Sequence, residues 1–133
     1  MTLHLIKLSV GPESLADLAS WQKKRLKVVP ELIHITRQTP KRAAELLDGG
    51  SIYWVIGGHV VARQKLLELR PMERDGIPHC GLVYDKQMIT VEMRPRRPFQ
   101  GWRYLEEKDA PPDLPSGAED DSLPSKLRAL GLL

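Results

Sequence analysis

The densest chemistry in the chain lies between Arg94 and Leu105, where Arg94, Arg96, Arg97 and Arg103 are interleaved with Phe99, Trp102 and Tyr104. Guanidinium groups fork onto phosphate or carboxylate oxygens. Aromatic faces stack on unpaired bases at roughly 1–3 kcal/mol each. Pro95 and Pro98 stiffen the segment, which lowers the entropy lost on binding. These residue types in this order suit an anionic partner, single-stranded nucleic acid above all. A plainer role competes on equal physical grounds: Phe99 and Trp102 buried as a brace, with the arginines paired to acids further along the chain. Whether Trp102 and its arginines face solvent, or Trp102 is buried with Arg96 and Arg97 paired to the acids, separates the two.

Other candidates are sparser. Gly49-Gly50-Ser51 and Gly57-Gly58 flank Tyr53-Trp54, and Gly-rich turns can cradle phosphate through backbone N–H groups. Neither a Gly-Lys-Ser/Thr nor a Gly-x-Gly-x-x-Gly pattern is present, so nucleotide binding by the familiar loops is unsupported and turn geometry accounts for these glycines. Arg63 and Gln64 fall beside Trp54 across the Gly57-Gly58 turn, either lining a pocket floored by Tyr53 or Trp54 or packing the core's edge. The full candidate set for an anion or nucleic acid is therefore Arg94, Arg96, Arg97, Trp102 and Arg103, with Tyr53, Arg63 and Gln64 as neighbours.

Conventional catalytic sets are missing. His4, His34, His59 and His79 fall on different expected elements without His-x-His or His-x-x-x-His spacing, so no metal site and no cofactor are expected. Cys80 adjoins His79, but neighbours on a strand point to opposite faces, so they cannot act as nucleophile and base together; Cys80 reads as a small core residue. The Gly-x-Ser-x-Gly elbow of serine hydrolases is absent. Glu106-Glu107 and Asp120-Asp121 lie in polar segments where carboxyl groups stay ionised and make poor general acids.

Length and composition set the frame. The chain has 133 residues, 41% apolar and 28% charged, the profile of one globular domain with a real core. Its apolar runs fall far short of the ~20 residues that span a bilayer, and Met1–Lys7 alternates like a strand rather than a leader. One cysteine excludes an internal disulfide, which points to a reducing cytoplasm. Residues 1–105 carry 17 Lys and Arg against 10 Asp and Glu, whereas residues 106–121 carry seven acids against Lys108 alone. Such asymmetry fits an anionic partner, an acidic tail covering a basic face, or ordinary solvated charge.

The elements that must position these residues follow from local pattern. Leu3–Leu8 reads as a strand, and Ser14 caps a helix through about Lys27 whose inner face carries Leu15, Leu18, Ala19, Gln22 and Leu26. Leu32–Arg37 reads as a strand, and Thr39-Pro40 opens a second helix ended by Asp48-Gly49-Gly50. Ser51–Ile56 and His59–Leu69 form a hairpin about Gly57-Gly58, although Ala62–Leu69 is made of good helix formers. Asp75-Gly76 turns a second hairpin into His79–Tyr84, followed by Met88–Met93. The prolines of 94–105 forbid a central strand or regular helix there. The expectation is an α+β domain over residues 1–108, with a mixed, mostly antiparallel sheet of five or six strands, barrel-like in one version. Residues 109–133 would be a Pro- and acid-rich extended tail with a short helix at Ser125–Leu130.

Taken together, Leu3–Gln22, Pro40-Lys41-Arg42-Ala43, Glu45–Ser51, Tyr53–Ile56, Ala62-Arg63-Gln64 and above all Arg94-Pro95-Arg96-Arg97-Pro98-Phe99-Gln100-Gly101-Trp102-Arg103-Tyr104-Leu105 resemble the alphaproteobacterial family catalogued as domain of unknown function 1489. The resemblance covers nearly the whole chain and implies a bacterial cytosolic protein. It carries no established activity, ligand or catalytic residue. Ala44–Ser51, a helix running through a Gly-rich turn into a strand, is also similar to the layout of PUA-like and ASCH-type modules, several of which bind RNA or modified bases. The function expected is a non-enzymatic binding module for an anionic partner, most plausibly RNA or single-stranded nucleic acid. One alternative is a small enzyme on a phosphorylated or carboxylated molecule, with Arg63 and Arg97 as anion clamp and His59 as acid–base group. The other is an interaction adaptor using Leu127, Leu130 and Leu133.

Overall fold

The computed structural model describes residues 2–115. Helix α1 (Leu15–Leu26) begins where its cap dictates: Ser14 keeps extended backbone and its Oγ accepts the Asp17 N–H. Leu18 and Gln22, one turn apart, are its buried residues, and Lys23, Lys24 and Arg25 crowd the last turn near the unsatisfied carbonyls. Helix α2 is shorter than expected, Ala43–Leu46, without a side-chain cap. The reason is tertiary. The Tyr104 hydroxyl accepts the backbone N–H of both Lys41 and Arg42, which holds Thr39–Arg42 out of helical geometry and delays the first turn.

Seven strands build one mixed sheet: β1 (Leu3–Leu8), β2 (Leu32–Thr36), β3 (Ser51–Ile56), β4 (His59–Arg74), β5 (Ile77–Tyr84), β6 (Ile89–Pro95) and β7 (Trp102–Glu106). Their order is β2-β5-β4-β3-β1-β7, with β6 also on β4. The β1–β3 pair is parallel and the rest antiparallel, so the domain is α+β as expected. The sheet stays open between β2 and β7, which corrects the barrel-like version.

Both expected hairpin turns are present, and each needs positive φ: Gly57 at 59° and Gly58 at 81°, Asp75 at 53° and Gly76 at 77°. β4 runs well past Leu69. Its first half pairs with β3 and β6 and its second with β5, and this pairing overrides the helix propensity of Ala62–Leu69. Pro71 is tolerated because that half of the strand has a ladder on one side only. The extra strand β7 starts once Pro95, Pro98 and Gly101 are past and lies at the sheet edge against β1.

Strand alternation divides the core between the two faces of the sheet. Leu5, Ile52, Trp54, Ala62, Leu66 and Trp102 belong to the larger cluster beneath α1. Ile6, Tyr53, Val55, Val60, Val91 and Leu105 form the smaller cluster on the other face, closed by Phe99 and Ala110. An extra residue in β4, Val61 opposite the Trp54/Val55 step, lets Val61 and Ala62 both reach the larger cluster. Ala110–Leu114 extends the small face: Glu92 donates its N–H to Pro112, and Leu114 donates to Thr90. Thus the first residues of the expected tail lie along β6, while Ser125–Leu130 and the leucines of the adaptor reading lie outside the described residues. Among the described residues no helix is long and apolar enough to cross a membrane.

Gly50 lies at a close approach of backbones. A Cβ there would sit 2.2 Å from the Leu3 carbonyl oxygen and 2.3 Å from that of Leu46. Gly50→Ala is therefore expected to lower unfolding free energy by about 2–3 kcal/mol through forced separation of β1 from the α2–β3 turn. A denaturant melt within 0.5 kcal/mol of wild type, on the order of an ordinary surface change, would contradict that close approach.

Candidate functional site

The structure distributes the sequence candidates over three places. Trp102 is a core residue: it is 8% exposed, lies edge-on to Tyr104 at 5.0 Å, and its indole N–H donates to the Gln38 carbonyl at 2.8 Å. Gln64 is fully buried beneath α1. Its amide nitrogen donates to Gln22 Oε1 at 2.7 Å and to the Asp85 carbonyl at 3.0 Å, while its oxygen accepts from Gln22 Nε2 at 2.9 Å and Trp54 Nε1 at 2.8 Å. Every donor and acceptor of that amide is used, so Gln64 docks the helix on the sheet and has nothing left for a ligand.

Tyr53 and Arg63 lie on the small face. Arg63 makes a bidentate pair with Asp113, both contacts 2.7 Å, and donates through Nη1 to Ser51 Oγ at 2.8 Å. That hydrogen-bonded pair holds the Asp113 carboxyl below the usual carboxylate range and ties the 110–114 segment to β4. Burial pushes the Tyr53 phenol up to about 12, so it stays protonated.

His4, beside them, resembles the base of a catalytic pair: Nε2 is 2.6 Å from Glu107 Oε1. The other ring nitrogen decides the matter. Nδ1 accepts the Ser51 backbone N–H at 3.0 Å, so it carries the lone pair and the proton sits on Nε2, donated to Glu107. Both nitrogens are occupied and the ring is 4% exposed. His4 is a fixed link between β1, β3 and the end of β7. His59, the acid–base group of the enzyme reading, has its Nδ1 3.2 Å from the Gly57 carbonyl within its own turn.

The arginine segment forms the third place. Arg96 donates its backbone N–H to Gly58, pinning the β6–β7 loop to the β3–β4 turn. Phe99 packs on the small cluster, and the guanidinium groups of Arg96 and Arg103 lie over its ring, 5.2 and 5.3 Å from the centroid. Arg103 Nη1 is further held by the Gln100 and Trp102 carbonyls. Arg97 is exposed. Arg94 turns back along β6 to pair with Glu92 at 3.0 Å. Arg96, Arg97 and Arg103 make no ion pair among the described residues, and Glu119, Asp120 and Asp121 lie outside them.

A cleft that the sequence patterns did not reveal opens between α1 and the carboxyl end of β1, with a volume of about 480 Å³. Trp54, Tyr84 and Trp21 supply its aromatic walls; the first two meet edge-on at 5.6 Å and are buried, while Trp21 stays 47% exposed. Lys7 and His34 line its interior, and Lys24 and Asp17 its helix side. Burial lowers the Lys7 ammonium from its ordinary value. Burial and then the positive charge of Lys7 push His34 down to about 4, leaving it neutral at pH 7. The missed signal was parity: Leu3, Leu5 and Lys7 share the inward face of β1, so the last inward position holds a cation.

A family model described as a protein of unknown function, DUF1489, matches residues 5–133. No curated protein and no solved structure matches the chain.

Proposed function

Since the chain belongs to the DUF1489 family, which hands down no activity, we propose from the geometry that it is a non-enzymatic binding module for an anionic partner, RNA or single-stranded nucleic acid, received on the β6–β7 loop. One observation carries this reading. The guanidinium groups of Arg96 and Arg103 lie over the same phenyl ring, with Arg97 exposed beside them, on a loop that follows Pro95, contains Pro98 and is pinned to Gly58. Contact with Phe99 restrains two guanidinium groups before any partner arrives, and preorganised forks lose less entropy on meeting phosphate. The reading rests on arginines and loop shape; Trp102, Gln64 and Arg63 have structural duties instead. The same reading places the protein in a bacterial cytoplasm, on the family resemblance and the single cysteine.

Fluorescence anisotropy with a labelled 12-nucleotide oligouridylate and its DNA counterpart, titrated over salt, tests it. Binding is expected to weaken with salt at a log–log slope of about −2, which corresponds to roughly three phosphates of a single strand neutralised and their counterions released. Replacing Arg96, Arg97 and Arg103 together by Gln is expected to weaken binding at least about tenfold, while the protein stays folded with its melting midpoint lowered by the lost Phe99 and carbonyl contacts of Arg96 and Arg103. No binding above background at low salt sinks the proposal.

A further inference from the structure

We propose that the cleft between α1 and β1 is a second, independent binding site, for a small anionic molecule with a flat aromatic body whose acidic head meets Lys7. Three features of the molecule converge on that chemistry. First, its volume of about 480 Å³ falls in the range of small-molecule sites.

Second, Lys7 sits half-buried at an inward strand position, and neither its ammonium nor the His34 ring has a hydrogen-bond or ion-pair partner among the described residues. A cation withdrawn from water without a counter-charge weakens the free fold, and an anion entering the cleft supplies the missing charge. His34, Lys24 and Asp17 line the cleft with Lys7. From β2 comes His34, neutral at pH 7 and able to share a hydrogen bond. From α1 come Lys24, which adds a positive charge at the rim, and Asp17, the one carboxylate in the lining. Asp17 makes no ion pair with Lys7 and its Oδ2 accepts the Glu13 N–H at 3.2 Å, so the two lysines leave the cleft net positive.

Third, the walls are aromatic and one of them is open. Trp54 presents its indole edge-on to both His34 and Tyr84, while Trp21 stands exposed at the mouth with Arg25 5.5 Å from its ring centroid. A flat aromatic ring entering the cleft can pack on the exposed Trp21 indole in offset or edge-to-face contact. Lysine offers a point charge rather than a planar fork, so carboxylate, sulfonate and phosphate heads are all admitted by the same chemistry.

The probe is 1-anilinonaphthalene-8-sulfonate, an aromatic anion that fluoresces when shielded from water, titrated into the full chain. Saturable binding of one probe per chain is expected, reversed by adenosine 5′-monophosphate if phosphate heads are preferred and by indole-3-acetate if carboxylates are. Lys7→Gln is expected to weaken the probe at least about tenfold and Trp21→Ala several-fold, with Lys7→Arg close to wild type. Trp21 is a mouth residue, so its variant stays folded even if a change at Lys7 disturbs β1, and melting midpoints check both. Non-saturable binding, or affinities in Lys7→Gln and Trp21→Ala within twofold of wild type, overturns the proposal. The oligouridylate assay above shares none of these residues, so either site can fail alone.

Discussion

Gln64→Leu is expected to remove about 3–5 kcal/mol of folding stability, the sum of two or more buried polar groups left unpaired at ~1–3 kcal/mol each. Leucine nearly fills the space but returns none of the four hydrogen bonds. The Trp54 indole N–H and the Asp85 carbonyl then lose their partner in a region where Gln64 is wholly excluded from solvent. Gln22, 4% exposed, can recover only by sliding α1 outward to admit water, which would also open the apolar contact beneath Leu18. The measurement is a urea denaturation midpoint at unchanged slope. Gln22→Leu combined with Gln64→Leu should cost less than the two single changes added together, because the amide pair vanishes from both sides at once. A loss below about 1 kcal/mol for Gln64→Leu, the size of one ordinary net hydrogen bond, would mean that water already reaches this network.

Trp102→Ala is expected to cost about 3–5 kcal/mol, the usual range for emptying a buried large aromatic site. Trp102→Phe should cost less, about 1 kcal/mol beyond packing changes, because it keeps the ring and loses the hydrogen bond to Gln38. The two variants also separate architecture from recognition. If the arginines on Phe99 carry nucleic-acid binding, the folded Trp102→Phe protein binds the oligouridylate as wild type does. A loss of affinity without a loss of stability would return the indole to the binding surface and overturn its role as a brace.

The contrast between Trp102 and its neighbours shows why the Arg94–Leu105 segment was ambiguous. Composition places arginines beside aromatics, but burial depends on which strand the segment joins. Because Trp102 pairs with Lys7 in the edge ladder, its side chain takes the inner face under α1, while Arg103, one residue on, takes the other. Phe99, in the loop, packs beneath two arginines. A single segment therefore serves as a brace at Trp102 and as a charged surface at Arg96, Arg97 and Arg103.

What the sequence by itself determined was local. Ser14 capping α1, positive φ at Gly57-Gly58 and at Asp75-Gly76, the alternation of β1 and the apolar run of β3 all depend on a few adjacent residues, whose sterics and hydrogen bonds act locally. The α+β class followed from the sum of those signals. The tertiary structure alone decided the rest. Tyr104 shortened α2 from over sixty residues away, and three partner strands carried β4 to Arg74 through helix-forming residues. Gln64 closed a network with Gln22 and Asp85, Arg63 met Asp113, and both nitrogens of His4 were occupied. Lys7 and His34 reached one cleft from separate strands. In each case the deciding energy is a contact between residues distant in the chain, whose value depends on shared burial and on the exclusion of water, and neither exists until the sheet and α1 have closed on each other.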